Sequence, residues 1–151
     1  MKLAEALALR GDMQKKIAHL RVRLGRSALV QEGTKPPEDA EKLLKEAVGT
    51  MDELRDLLVK INLANTRGKL PDGRTLTEAV AQRDVFVSQH SLLSHAIESC
   101  HKEPDRYSNA EIKWIPCLPV ARLHKQLDDV AKKIRLLNLA IQQANWEINL
   151  E

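Results

Sequence analysis

The side chains in this 151-residue chain that could do chemistry are spaced in ways that match no common catalytic or metal site. Glu98 and His101 form one Glu-x-x-His pair. A di-metal carboxylate bundle needs two such pairs and two further inward carboxylates, and no second pair exists. His90, His95, Cys100, His101 and His124 lack the Cys-x-x-Cys or His-x-x-x-His spacing of a zinc site. Cys100 stands next to His101, but neighbours on a helix point about 100° apart, a poor start for a nucleophile and its base. No glycine-rich phosphate loop and no Gly-x-Ser-x-Gly elbow is present. These absences predict no enzyme, no cofactor and no metal.

A second group is more informative. Arg10, Asn65 and Arg83 occupy positions where the hydrophobic pattern asks for an apolar side chain. In an up-down bundle the start of the first helix, the end of the second, the start of the third and the end of the fourth share one end. Arg10, Asn62, Asn65, Arg83, Asn145, Trp146 and Glu147 would then meet at one level. A buried guanidinium needs a carboxylate or carbonyl partner, and Glu147 and Asp84 are the candidates. Such a cluster either fixes register, as buried polar groups can, or forms an end pocket for a small anionic ligand.

The elements that would position it are helices. Apolar residues make up 43% of the chain and aromatics 3%. Leu (23) and Ala (16) dominate, which favours an all-α core built without rings. Four segments carry a 3-4-3-4 apolar spacing, the mark of helices packed at shallow angles. The first has Leu3, Ala6, Arg10, Met13, Ile17, Leu20 and Leu24. The second has Leu44, Ala47, Met51, Leu54, Leu58, Ile61 and Asn65. The third has Ala79, Arg83, Phe86, His90, Leu93, Ile97 and Cys100. The fourth runs unbroken through Val120, Leu123, Leu127, Val130, Ile134, Leu137, Ile141, Ala144 and Ile148.

Helix punctuation agrees. Gly33 and Pro36-Pro37 precede Glu38 and Asp39, which suit a positive helix N-terminus. Thr75 and Glu78 fit a capping box. Pro104, Pro116 and Pro119 bound the last connection. The pattern predicts helices over 1–27, 38–67, 75–103 and 119–151. Together they make one domain over 1–151, an antiparallel up-down four-helix bundle. The 102–119 connection holds Tyr107 and Trp114. Its alternating 111–115 stretch predicts an extended or short-strand segment that packs on the bundle. The alternative is a set of long helices that complete their cores only in an oligomer.

Net charge is +3, too small to demand nucleic acid or membrane. The first helix gathers Lys15, Lys16, Arg21, Arg23 and Arg26. It lacks the interleaved aromatics that stack bases, so its cations read as a solvated face or as partners for acids on the next helix. Glu5 and Arg10 interrupt what would otherwise resemble a signal peptide. No run approaches the ~20 apolar residues of a membrane span. A cytoplasmic protein with reduced thiols is expected.

Several local motifs resemble those of a largely uncharacterised group of short bacterial helical proteins, some labelled septicolysin. They are Gln31-Glu32-Gly33, Asp72-Gly-x-Thr-Leu-Thr77, Ala81-x-Arg-Asp84, Arg106-Tyr-Ser108, Glu111-Ile112-Lys113 and Asn145-Trp146. The resemblance spans nearly the whole chain. It implies bacterial origin and a helical fold, and the label implies a cytolytic toxin.

The residues themselves favour a non-enzymatic bundle acting through self-association or partner binding. Val80, Val85, Phe86, Val87, Leu92, Leu93, Ala96 and Ile97 surround the third helix rather than forming one stripe. A helix apolar on several faces is usually covered on several faces. A homo-oligomer, most simply a dimer, would cover the surplus. A membrane-active protein and a bundle binding a small anionic ligand are the alternatives.

Overall fold

The computed structural model describes residues 1–101 and 113–150. Four helices follow in order: α1 (Leu3–Ser27), α2 (Ala40–Arg67), α3 (Leu76–Ser99) and α4 (Val120–Glu147). They account for 76% of the described residues, which include no sheet. The all-α expectation holds.

Local chemistry sets the helix ends. Asp39 caps α2, its carboxylate accepting from the amides of Glu41 and Lys42 at 3.1 and 3.2 Å. Thr75 caps α3 in a capping box: its hydroxyl accepts from the Glu78 amide at 3.2 Å, and the Glu78 carboxylate accepts from the Thr75 amide at 2.7 Å. The turn before it closes when the Gly73 amide donates to the Leu70 carbonyl at 2.9 Å. Gly73 sits at φ +88°, where an L side chain is strained.

The chain divides into two compact units, Met1–Lys69 with Gln142–Glu151, and Leu70–Ile141. In the first, α1 and α2 run antiparallel. Lys16 meets Glu46 at 3.0 Å and Arg23 meets Glu38, while Leu20, Leu24, Leu43 and Ala47 form an apolar cluster between the helices. In the second unit α3 and α4 are also antiparallel. The Lys133 ammonium stands 5.6 Å from the centre of the Phe86 ring, and Gln89, Leu92 and Leu93 share a cleft with Gln126, Asp129 and Val130.

The predicted seams of α1, α3 and α4 are all buried or half-buried. That of α2 needs correction. Its buried residues are Leu43, Ala47, Thr50, Leu57, Ile61 and Ala64, with Leu54 half-buried. Leu44 and Met51, taken from the sequence as seam positions, are about half exposed (51% and 50%). Adjacent apolar pairs (Leu43-Leu44, Ala47-Val48, Leu57-Leu58) make two phases look alike. Thr50 fits the seam because its hydroxyl donates to the Glu46 carbonyl at 2.9 Å.

Helix starts shift by one or two residues, and two C-terminal ends move further. Helix α3 ends at Ser99 rather than 103. Helix α4 ends at Glu147 rather than 151, because the chain leaves the helix to pair with the N-terminus. The Leu3 amide donates to the Ile148 carbonyl and the Leu150 amide to the Met1 carbonyl, both at 2.9 Å, with an antiparallel bridge between Lys2 and Asn149. In the last connection, residues 102–112 lie outside the described residues, and with them the first two positions of the predicted 111–115 strand. Residues 113–116 form neither helix nor strand. Trp114 and Ile115 are 75% and 80% exposed, so this part of the connection does not pack as expected.

Candidate functional site

Six of the seven residues predicted to cluster, Arg10, Asn62, Asn65, Asn145, Trp146 and Glu147, lie in the first unit, and Arg83 lies in the second. Arg10, Asn65 and Asn145 are half-buried, whereas Asn62, Trp146 and Glu147 are exposed. The acids expected to serve the arginines are engaged locally. Asp84 accepts from Arg83 Nε and a terminal nitrogen at 3.0 and 2.6 Å. The Glu147 carboxylate accepts from Gln143 at 2.8 Å. Among the described residues, Arg10 Nε and the Ser27 hydroxyl, both on α1, are fully buried without a hydrogen-bond partner. Of the polar residues read on the seams, the orphaned one is Arg10.

The C-terminal end of α2 forms a cleft that the sequence pattern did not single out. Lys60, Leu63, Ala64, Arg67, Gly68, Ile148 and Asn149 line a space of about 300 Å³. It exists because the residues after α4 turn back along the N-terminus. Lys2 Nζ donates to the Glu147 carbonyl at 3.0 Å and helps hold that turn. Gly68 stops α2, and its contact with Ile148, eighty positions away, has no local signature in the sequence.

The cations of α1 are partly engaged by acids on α2 and just before it. Arg23 Nε donates to Glu38 at 2.9 Å, and a terminal nitrogen donates to the second carboxylate oxygen. This hydrogen bonding, with the charge of Glu38 behind it, raises the Arg23 pKa further above its ordinary value. Its counterpart holds the Glu38 carboxyl below the usual carboxylate range. Among the described residues, no group of three or more His, Cys, Asp or Glu side chains could hold a metal ion. His101 Nδ1 lies 2.8 Å from the Ile97 carbonyl.

Uncovered apolar surface is the larger feature. Beside its buried seam, α2 carries a second stripe in which Leu44, Val48, Met51, Val59 and Leu63 are each between 46% and 54% exposed. Leu44, Val48 and Met51 stand at i, i+4 and i+7, so they share one helix face. Arg55 continues that face, its charge held by Asp52 and Asp56 at 3.2 and 2.9 Å. On α3, Val85, Val87 and Leu92 are exposed, three of the residues that made this helix look apolar all round. The sequence pattern pointed to α3 and missed the longer stripe on α2, which it had merged with the seam.

Residues 10–150 match a family of unknown function, DUF6847, and the chain belongs to it. It is also similar to a solved structure described as a functionally unknown conserved protein from Corynebacterium diphtheriae. The two share 34% identity over 100% of this chain and 99% of that one, with a TM-score of 0.90. No curated protein matches significantly. Neither description mentions lysis, and the septicolysin label finds no support in them.

Proposed function

We propose that this member of the family works as a non-enzymatic helical protein through self-association, with a second copy of the chain covering the outer stripe of α2. The observation that carries this reading is the uncovered run Leu44, Val48 and Met51, continued by Val59 and Leu63. Exposed apolar side chains gathered on one helix face, as Leu44, Val48 and Met51 are, mark interaction sites. A two-fold axis lets one stripe cover its own copy, which makes a dimer the simplest assembly. Light scattering at micromolar concentration tests it: a mass near twice 17.0 kDa is expected, and a mass of one chain would refute it. The reading places the protein in the cytoplasm and assigns it no nucleic acid and no membrane.

A second reading has its own observation. The cleft after α2 brings Lys60 and Arg67 beside Asn149, a polar set suited to a small anion. Inorganic phosphate or citrate that raised the melting temperature of the wild type, but not of Lys60→Ala, would support it. A lytic role, which the septicolysin label implies, would have to proceed without a spanning helix. Among the described residues none is long and apolar enough to cross a membrane. Dye release from anionic vesicles checks that role directly, and none is expected.

A further inference from the structure

We propose that Cys100 and Cys117 form a reversible dithiol–disulfide pair that clips the end of α3 to the segment leading into α4. Both thiols are free. Both line one cavity of about 370 Å³, together with Ala96, Ser99, Trp114 and Leu118. The hairpin register brings them there. Lys133 faces Phe86, and Gln126 and Val130 share a cleft with Gln89 and Leu93. Continued to the mouth of the hairpin, that antiparallel register sets Cys100 opposite Pro119, two residues beyond Cys117. A disulfide needs Cα atoms about 4.4–6.8 Å apart, an approach open to two segments that wall the same cavity.

The two thiols differ in a way that assigns their roles. Cys117 is exposed and Cys100 half-buried. The Cys117 sulfur has a weak contact, 4.0 Å from the Ile115 carbonyl. Cys100 closes α3, its amide donating to the Ile97 carbonyl at 3.1 Å. Cys117 is therefore the thiol that meets an oxidant, and Cys100 the one that resolves it. With hydrogen peroxide the Cys117 sulfur attacks one oxygen, the O–O bond breaks, and a sulfenic acid and one water result. The Cys100 sulfur then attacks the sulfenic sulfur, the S–O bond breaks, and a second water leaves. Two thiols lose two electrons and two protons, and the peroxide is reduced to two waters. A dithiol reductant reverses the bond by exchange.

The bond would fix residues 113–118, which carry the exposed Trp114 and Ile115, to the end of α3. Redox state would then govern how these two apolar side chains are presented. This goes beyond the self-association reading, which rests on α2, and each can fail alone.

The experiment treats the reduced full-length protein with stoichiometric hydrogen peroxide and maps its peptides without reduction. A Cys100–Cys117 linked peptide in chains that stay uncrosslinked to one another is expected. Cys100→Ser should accumulate a sulfenic acid on Cys117 that dimedone traps, and Cys117→Ser should keep Cys100 as a free thiol. In a Trp146→Phe background, which leaves Trp114 as the emitting indole, disulfide formation should quench the fluorescence and dithiothreitol should restore it. Disulfides between chains, independent over-oxidation of both thiols to sulfinic acids, or two unreacted thiols would each overturn the proposal.

Discussion

Gly68 and Ile148 are eighty positions apart and touch so closely that no side chain fits between them. A Cβ built on Gly68 overlaps Ile148 Cδ1 and stands 2.8 Å from the Ala64 carbonyl oxygen. The Gly68 amide donates to that same carbonyl at 2.7 Å, so the backbone cannot retreat without losing the bond that ends α2. Gly68→Ala should destabilise the protein by about 1–3 kcal/mol through overpacking. Ile148→Ala also costs stability, but in the double variant the two costs should fall short of additivity, since the smaller side chain makes room. Urea denaturation of the four proteins checks this, and full additivity would contradict it.

Arg10 presents the opposite case, a polar group with too little around it. Among the described residues its Nε has no partner, and it sits on the seam of α1 between the buried Ala6 and the half-buried Met13. An unsatisfied buried donor costs about 1–3 kcal/mol. Arg10→Met keeps the stem's packing and removes the orphan donor, so it should leave stability unchanged or raise it by about 1 kcal/mol. Arg83, whose guanidinium bonds the exposed Asp84, should show no such gain. Thermal unfolding of both methionine variants measures the contrast, and a destabilised Arg10→Met would mean that Arg10 has a partner in solution.

Much of this was readable from the residues, and the misses have physical causes. The seams of α1 and α4 were legible because each carries one apolar phase, and that of α3 was read correctly although apolar residues surround the helix. On α2 two apolar stripes lie side by side, and only tertiary packing chooses between them: Leu43 goes in and Leu44 stays out. The capping box at Thr75 is local and was visible in the residues. The pairing of Leu3 with Ile148 is backbone to backbone and leaves no side-chain signature. The end of α4 and the cleft beside Gly68 both depend on it, so both escaped sequence reasoning.

Acid should loosen two surface clips. Hydrogen bonding from Arg23 lowers the Glu38 pKa, and hydrogen bonding from Arg74, first through its side chain and then its amide, lowers that of Asp72. A carboxyl whose pKa falls on folding binds its proton more readily when unfolded. Its contribution is therefore complete above the unfolded carboxylate range and is lost as pH drops through the lower, folded value. Arg23→Gln and Arg74→Gln should thus be less stable than the wild type near neutral pH and converge with it in acid. Both clips are exposed, so added salt should shrink the difference as well. Unfolding midpoints across a pH series, at two salt concentrations, read this out, and a gap that persisted in acid would contradict it.

Whether the outer stripe of α2 meets a second copy turns on residues whose replacement leaves the hairpin intact. Val48 and Met51 are about half exposed, while Leu43, Ala47, Leu57 and Ile61 fill the seam on the other side. Glutamates at 48 and 51 should therefore fold normally, with helix content and melting temperature close to the wild type. Burying the remaining half of one such side chain gains about 1 kcal/mol. Two-fold symmetry counts each substitution twice, so each should weaken the dimer by about 2 kcal/mol, or ~30-fold in Kd. A glutamate in a closed apolar interface adds the cost of burying its charge, so Val48→Glu/Met51→Glu should be monomeric at micromolar concentration. Val85→Glu on α3 is the control that separates the two apolar faces. If it dissociates the protein while the α2 pair does not, the interface lies on α3, as the sequence pattern suggested. If neither does, the stripe on α2 is not the contact between copies.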